Sequence, residues 1–108
     1  MQAPGLSIAY RNLDSSPAIE EEVRRRFAEL EKVGARIESC QVVVEAGQWR
    51  SSGREFTVRL KVVVPGPDIE VERKVGRSDP ADDVKLAIHE AFDAARRMIL
   101  ERKSRRSP

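Results

Sequence analysis

Residues 55–75 contain two largely alternating segments joined by a proline-containing turn, and this pattern permits few local structures. EFTVRLKVVV (55–64) and IEVERKV (69–75) alternate apolar and polar residues except at Val63 and Arg73, and PGPD (65–68) separates them. A period of two is typical of a strand that buries one face, and the Pro-Gly-Pro sequence marks a tight connection. The segment therefore predicts an antiparallel pair of strands with one buried face.

The register of this pair follows if the last residue of the first segment faces the first residue of the second. The expected opposite pairs are then Val64 with Ile69, Lys61 with Glu72, and Arg59 with Lys74. Glu72 would also lie diagonal to Arg59, so opposite charges would meet on the solvent face.

Two further segments have the composition of strands. LSIAYR (6–11) alternates, and IESCQVVVE (37–45) is rich in β-branched residues. The polar, glycine-containing stretch 46–54, which includes Trp49, is expected to be a loop.

Two segments show helical periodicity. Ser16 is a suitable N-cap before Pro17, and Gly34 is expected to end the first helix. The second helix is expected to begin at Pro80 after the cap Asp79 and to end near residue 103. The apolar stripes comprise Ile19, Val23, Phe27, Leu30 and Val33 in the first helix, and Val84, Ala87, Ile88, Ala91, Phe92, Ala95, Met98 and Ile99 in the second.

The elements follow in the order β-α-β-β-β-α, which predicts an α+β fold. Each helix has one apolar stripe and the sheet has one apolar side, so both helices should cover one face of a four-stranded mixed sheet. A right-handed crossover makes strands 1 and 2 parallel, while strands 2, 3 and 4 form an antiparallel meander. We expect residues 1–103 to form a single domain and residues 104–108 to form a short basic tail that frays.

Composition argues against a membrane or secreted protein. The 108 residues contain no apolar run approaching the roughly 20 residues of a membrane span, and no secretory signal opens the chain. Cys40 is the single cysteine and is expected to be a buried, reduced thiol, which favours a cytoplasmic protein.

Catalytic and metal-binding chemistry also lacks the residues that it needs. The chain has one histidine, His89, and one cysteine, and no glycine-rich loop opens a helix. Asp79, Asp82 and Asp83 are better explained as acids that stabilise a helix N-terminus. We therefore expect neither an enzyme nor a cofactor, a metal or a small-molecule substrate.

Positive charge is concentrated at the C-terminal end of the chain. Residues 96–108 hold six basic residues and one acid, a net charge of +5, whereas the rest holds 14 basic and 17 acidic residues, a net charge of −3. The helix dipole explains Arg102 and Lys103 in the last turn. It does not explain the other basic residues of this cluster, Arg96, Arg97, Arg105 and Arg106.

The second helix is divided lengthwise into a basic edge and a mixed edge. The basic edge projects between about 100° and 140° from Val84 on a helical wheel and contains no acid. Its members are Lys85, His89, Arg96 and Lys103, whereas the mixed edge holds Glu90, Asp93, Arg97 and Glu101. A dipole predicts a gradient along the axis but no lateral division, so the basic edge indicates a binding surface.

The first helix carries its own basic cluster, Arg24, Arg25 and Arg26. These side chains span about 200° of arc, so they cannot all point the same way. The first two have acids four residues earlier, Glu20 and Glu21, and ion pairing explains them as well as binding does. Arg26 lies close to the apolar stripe, where a long side chain can emerge between the helices.

Basic surfaces on two adjacent helices suit a ribose-phosphate backbone. Aromatic residues that could stack on bases are scarce, and a cover for the sheet edge is the favoured role for Trp49. We therefore expect recognition of RNA shape before recognition of sequence.

The segments RFAELEKVGARIESCQVVVE (26–45) and DDVKLAIHEAFDAARRMILERK (82–103) carry a resemblance to a known family. The matching positions are Arg26 to Glu31, Arg36, Ile37, Asp83, Ala87, Ile88, Asp93, Arg97 and Lys103. With the element order, they make the chain, over roughly residues 5–103, resemble the ribosome hibernation-promoting factor and ribosome-associated inhibitor family. Its members are also described as sigma-54 modulation or ribosome subunit-interface proteins.

The resemblance implies binding to the small ribosomal subunit, through its 16S-type ribosomal RNA, in the channel used by mRNA and tRNA. Occupying that channel blocks translation and preserves idle ribosomes. Family members contact the RNA through basic residues of both helices. Arg26, Arg97 and Lys103 match such positions, and the geometry adds Arg25, Lys85, Arg96 and Arg102, with Arg105 and Arg106 in the tail. The chain resembles the short form, which lacks a dimerisation domain, so a free monomer is expected.

Four positions depart from the family. Members often carry lysine where this chain has Glu29 and Ala94, tyrosine where it has Lys85, and an acid where it has His89. RNA contacts are therefore expected to be redistributed relative to other members.

Two other functions remain open. A protein-interaction module would dock a partner on the charged solvent face of the sheet, with little dependence on salt. A general double-stranded RNA-binding domain shares the order α-β-β-β-α, but strand 1 and the family patterns argue against it.

Overall fold

The structure, a computed structural model, describes residues 5–48, 51, 53–75 and 80–106, with the side chains of all these except 80–83, 105 and 106. It contains four strands and two helices within these ranges. They are β1 (Leu6–Arg11), α1 (Pro17–Glu31), β2 (Ser39–Ala46), β3 (Phe56–Val63), β4 (Ile69–Val75) and α2 (Pro80–Arg106).

The strands form one sheet in the order β1-β2-β3-β4. β1 is parallel to β2, and the other two neighbouring pairs are antiparallel. A parallel pair needs a crossover connection, which α1 supplies. The predicted α+β fold, with its mixed sheet and two helices on one face, is confirmed.

Local sequence sets the two ends of α1. Ser16 precedes the helix in an extended conformation, and its Oγ accepts a hydrogen bond from the Ile19 N–H at 3.3 Å. Pro17 lies in the first turn, where its missing N–H removes no hydrogen bond. Lys32 caps the C-terminus, and Gly34, with φ of +82°, turns the chain towards β2. The predicted start is confirmed, and the helix ends shortly before Gly34.

α2 extends further than the sequence pattern predicts. It continues to Arg106, beyond the expected end near residue 103. No proline or glycine interrupts the chain before Pro108, so the polar residues after the apolar stripe remain compatible with a helix. The expected cap, Asp79, lies outside the described residues.

The core lies between the sheet and the two helices. The inward residues of the strands and the apolar stripes of both helices form one cluster of buried side chains. Met98 is an exception to the predicted stripe, because it lies at the margin of the stripe and is 37% exposed. Val33 is partly buried, and Ala94, which the prediction left out, is buried. Cys40 is fully buried, as expected.

The register between β3 and β4 differs from the prediction by two residues. Val62, rather than Val64, lies opposite Ile69. The observed pairs therefore include Lys61 with Glu70 and Arg59 with Glu72, not Lys61 with Glu72 or Arg59 with Lys74. Two prolines that cannot donate to a strand ladder, with Gly66 between them at φ of +92°, widen the connection. A shift of two leaves every side chain on its predicted face, because the strand repeat is two residues.

Candidate nucleic-acid interface

A narrow groove runs between α1 and α2 on the side of the protein away from the sheet. Buried Leu30 and Phe92 lie at its floor. Its walls consist of Arg26 and Glu29 from α1 and of His89, Asp93 and Arg96 from α2. The groove encloses only about 70 Å³, which is too little for a small-molecule site. Such a surface suits contact with a larger partner across both helices.

The basic edge of α2 faces α1 along this groove. Lys85 lies beside the first half of α1, in a depression that it shares with Glu21, Glu22 and Arg25. His89 and Arg96 lie beside Arg26 in the middle. At the far end, the Lys103 ammonium donates a hydrogen bond to the Val33 carbonyl oxygen at 2.8 Å. The four basic-edge residues, Lys85, His89, Arg96 and Lys103, are all exposed.

Two arginines of α1 share one buried carboxylate. Glu22 is 7% exposed, and its carboxylate accepts a hydrogen bond from Arg25 at 2.5 Å and from Arg26 at 2.7 Å. Burial favours a higher pKa for Glu22, but the hydrogen bonds from Arg26 and Arg25 outweigh it and lower the pKa. The sequence left ion pairing with Glu21 and a role in binding equally open for Arg25, and in the structure Arg25 pairs with Glu22 instead.

The pair of Arg24 with Glu20, which the sequence left as open as a role in binding, is present. The Arg24 guanidinium lies 3.5 Å from the carboxylate of Glu20, one helical turn earlier. Arg26 is partly buried and reaches the groove from beside the apolar stripe, as expected. Arg26 therefore presents part of its guanidinium to the groove while its Nε binds Glu22.

Arg96 and Arg97 are neighbours in sequence but have different surroundings. Arg97 does not line the groove, and it donates to the carboxylate of the groove residue Asp93 at 2.8 Å. Arg96 lines the inter-helix groove instead. Within the part of the chain that the structure describes, Arg96 and Lys85 have no ion pair and no side-chain hydrogen bond. Their charges are the most available ones on the basic edge.

The C-terminal basic residues are not equivalent. Arg102 donates to the Pro67 carbonyl oxygen at 2.6 Å and so holds the β3–β4 connection against α2. The angular position of Arg102 is near the centre of the apolar stripe. The sequence-based prediction of Arg102 as an RNA-binding residue did not take this position into account. Arg105 and Arg106 lie in the last turn of α2, and their side chains are outside the described part of the structure.

Sequence reasoning did not select Arg36 as a site residue. This arginine is exposed, and it lines a pocket together with Arg102 and Lys103. The signal that could have found it is its position two residues after Gly34, in the connection that faces the end of α2. Trp49 lies outside the described residues.

The solvent face of the sheet carries charges that pair with one another. Arg59 lies between two carboxylates, at 2.6 Å from Glu45 on β2 and 2.9 Å from Glu72 on β4. Lys61 lies 3.6 Å from Asp68. These pairs neutralise part of the charge on this face, where Arg11, Glu70 and Lys74 are also exposed.

Neither a metal site nor a membrane span is present among the described residues. No three metal-ligating side chains cluster within the described ranges. Neither helix, over the residues described, is both long and apolar enough to cross a bilayer.

The fold and the groove define a small α+β domain that presents cations along two adjacent helices. The chain belongs to the Sigma 54 modulation protein / S30EA ribosomal protein family, whose model matches residues 6–107. The resemblance stated from the sequence is thereby confirmed, and the protein is a ribosome-associated one.

Solved structures of related domains share this architecture. The Protein Y N-terminal domain of Thermus thermophilus has 25% sequence identity and a TM-score of 0.66, with 85% of this chain and 90% of that chain covered. A ribosomal subunit interface protein from Coxiella burnetii has a TM-score of 0.69 over 92% of this chain and 97% of that chain. Its 15% identity supports the fold alone. Comparison with curated proteins gives no significant match.

Proposed function

We propose that this protein binds ribosomal RNA of the small subunit, in the channel used by mRNA and tRNA, and thereby silences idle ribosomes. The observation that carries the proposal is the position of the basic edge of α2. It faces α1 across a groove, and two of its members, Lys85 and Arg96, have no acidic partner in the described structure. Membership of a ribosome-associated family supplies the partner.

The shape of the surface favours contact with the RNA backbone. The groove is narrow, its floor is closed by buried side chains, and no phenylalanine, tyrosine or tryptophan ring of either helix is exposed within the described residues, which leaves His89 as the exposed aromatic ring. Cations at intervals along two parallel ridges match phosphates, whereas base readout needs stacking platforms or inserted edges. Glu29 and Asp93 also line the groove and separate the cationic positions, so phosphates should bind at discrete points.

The remaining parts of the proposal follow from this role. Blocking a channel needs no catalytic step, no cofactor and no metal. We place the protein in the cytoplasm with the ribosomes, and we expect it to be a monomer when free.

Salt dependence tests the electrostatic mechanism. About five phosphate contacts predict that log affinity for small subunits falls with log salt concentration at a slope of roughly −3.5 to −4.5. Co-sedimentation with purified small subunits at several salt concentrations measures this slope. A flat response would exclude the mechanism and would favour docking through the sheet face instead.

Charge reversal on the two faces locates the surface. Lys85→Glu combined with Arg96→Glu should lower affinity for small subunits at least about tenfold, because two phosphate contacts become repulsive. Arg11→Glu combined with Lys74→Glu is the matched control, because it makes the same charge change on the exposed face of the sheet. Equal losses in both double variants would contradict the assignment to the helices.

Inhibition of translation is a separate readout. Addition of the protein to a cell-free translation reaction should reduce synthesis, and the Lys85→Glu, Arg96→Glu double variant should not. Inhibition that survives this double variant would show that binding at the groove is not what blocks translation.

A further inference from the structure

A second concave site lies at the C-terminal end of α2, where three chain segments meet. We call it the end pocket. It is separate from the inter-helix groove and has a volume of about 230 Å³. The residues around it are Gly34, Ala35, Arg36, Val64, Pro65, Ile99, Arg102 and Lys103.

Two hydrogen bonds from α2 build this pocket. Arg102 holds the β3–β4 connection through the Pro67 carbonyl oxygen, and Lys103 holds the α1–β2 connection through the Val33 carbonyl oxygen. Residues of both connections line the pocket together with Ile99 of α2. Because both anchors are charged side chains, the pocket gains a cationic rim.

The end pocket combines an apolar floor with this rim. Val64, Ile99 and Ala35 supply aliphatic surface, and Arg36, Arg102 and Lys103 supply positive charge. None of the residues that line it is acidic. This distinguishes it from the groove, which includes Glu29 and Asp93, and from the depression on the sheet face, which includes Glu70 and Glu72.

The size of the end pocket limits what it can hold. Sites for complete drug-sized ligands occupy roughly 300–1,000 Å³. A volume of about 230 Å³ is smaller than this and suits one flat heterocycle. Proteins recognise single RNA bases that have left the stack by placing them on apolar side chains or guanidinium planes, with cations on the adjoining phosphate.

We propose that the end pocket receives one unstacked base of the bound RNA, with the adjoining phosphate held by Arg36. This proposal rests on the proposed function, since it assumes that RNA is the partner. It adds a contact with one base to an interface that otherwise contacts the RNA backbone. Arg36 is exposed and has no partner within the described residues, so its guanidinium is available at the mouth of the pocket. Arg102 is fixed by Pro67 and can offer the face of its guanidinium to the base.

The test compares two RNA hairpins that differ by one base. Both carry a single-nucleotide bulge, and in one of them the bulged nucleotide is abasic. Fluorescence anisotropy should show about 5- to 150-fold tighter binding to the hairpin that retains the base, which is the range expected for stacking one base. The two hairpins have the same phosphates, so the backbone contribution cancels.

Two variants fill the end pocket without changing charge. Ala35→Leu adds bulk from the α1–β2 connection, and Pro65→Phe adds bulk independently from the β3–β4 connection. Each should abolish the preference for the base while leaving affinity for the abasic hairpin within about twofold of the original. Thermal unfolding identifies a variant that has lost its fold. The other pocket-filling variant then serves as the test.

Removal of the rim charge gives an independent readout. Arg36→Gln should weaken binding of the base-bearing hairpin more than Lys74→Gln, which removes one exposed cation from the sheet face. The end-pocket proposal would be overturned if the unaltered protein bound the two hairpins equally. It would also be overturned if folded Ala35→Leu and Pro65→Phe variants kept the full preference for the hairpin that retains the base. The groove could still bind RNA in that case. Absence of binding to either hairpin and to small subunits would instead overturn the proposed function.

Discussion

Glu22 controls what the arginine run of α1 presents to solvent. Its carboxylate is nearly buried and binds both Arg25 and Arg26, which lie three and four residues later on the same helix. A buried carboxylate without partners would be strongly destabilising, so the two arginines serve the fold as well as any ligand. Part of the positive charge that the sequence displays is therefore already neutralised in the free protein.

Glu22→Gln should make stability less dependent on acid pH. The pKa of Glu22 is lower in the folded protein than its ordinary value of about 4.3, so the ionised carboxylate stabilises the folded state above that ordinary value. This stabilisation is lost as the pH falls through the pKa of Glu22 in the folded protein. We expect the variant to be about 1–2 kcal/mol less stable at pH 7, a modest value because Arg25 is mostly exposed. Urea unfolding at pH 7, 5 and 3 measures the difference, which should shrink towards pH 3. A difference that stays constant with pH would show that the charge of Glu22 is not responsible.

Arg96 and Arg97 should contribute unequally to binding. The groove position and free charge of Arg96 predict that Arg96→Glu lowers affinity for small subunits by about tenfold or more. Arg97 does not line the groove and its charge is paired with Asp93, so Arg97→Glu should lower affinity less than about threefold. Titration of each variant with small subunits at one salt concentration checks this order. The family resemblance favours Arg97, and the opposite ranking would support it.

The turn after α1 is the point at which one element directs another. Gly34 has φ of +82°, a backbone conformation that residues with a Cβ rarely adopt. A Cβ at this position would lie 3.3 Å from the Lys103 ammonium. This turn brings the α1–β2 connection to the end of α2 and so forms one wall of the end pocket.

Gly34→Ala should therefore destabilise the protein by about 1–2 kcal/mol, mainly through backbone strain. Gly34→Asn is the matched variant, because asparagine is larger but tolerates the left-handed region better than alanine. Denaturant unfolding should rank the glycine first, asparagine second and alanine last. If asparagine were the least stable, contact with Lys103 rather than backbone conformation would limit this position.

α2 has three functions along its three sides. Its apolar stripe covers the sheet, its basic edge faces α1, and its mixed edge pairs Arg97 with Asp93 at the margin of the groove. The lateral division was evident in the sequence because side chains on a straight helix keep fixed angular positions. The contacts that each side makes depend on where α2 lies relative to its neighbours.

For the whole molecule, Cys40 reports on the integrity of the core. It is fully buried in β2, and burial raises the pKa of its thiol to about 12. Only about one thiol in ten thousand would then be ionised at pH 8, compared with roughly a quarter of free cysteine.

A thiol reagent should therefore react with Cys40 only after unfolding. We expect almost no reaction in native buffer at pH 8 and a rise in rate that follows the urea unfolding transition. Ser7→Cys in a Cys40→Ala background is the control, because residue 7 is exposed on β1 and its thiol should react at the rate of a free one. Rapid reaction of Cys40 without denaturant would show that β2 opens readily.

Most of the fold could be predicted because it depends on local patterns. Phe56, Val58, Leu60 and Val62 are buried as their alternation predicted, and the Ser16–Pro17 start of α1 is confirmed. The β3–β4 register was wrong because pairing depends on the geometry of the proline-containing turn, which alternation alone does not specify. Local periodicity thus determines which face a side chain occupies but not which residue lies across from it.

The candidate site was predicted less completely. The basic edge of α2 and the emergence of Arg26 between the helices followed from angular position. The partner of Arg25, the contact of Arg102 with Pro67 and the position of Arg36 did not follow, because each depends on residues brought together by the fold.

The sequence by itself determined the order of elements, the buried face of each and the charge asymmetry of α2, since these properties depend on a few neighbouring residues and a fixed repeat. Only the tertiary structure decided which cations are neutralised, which line the groove and which form the end pocket. An arginine becomes available or occupied according to the carboxylates and carbonyl oxygens within about 3 Å of it, and packing of distant segments sets those distances.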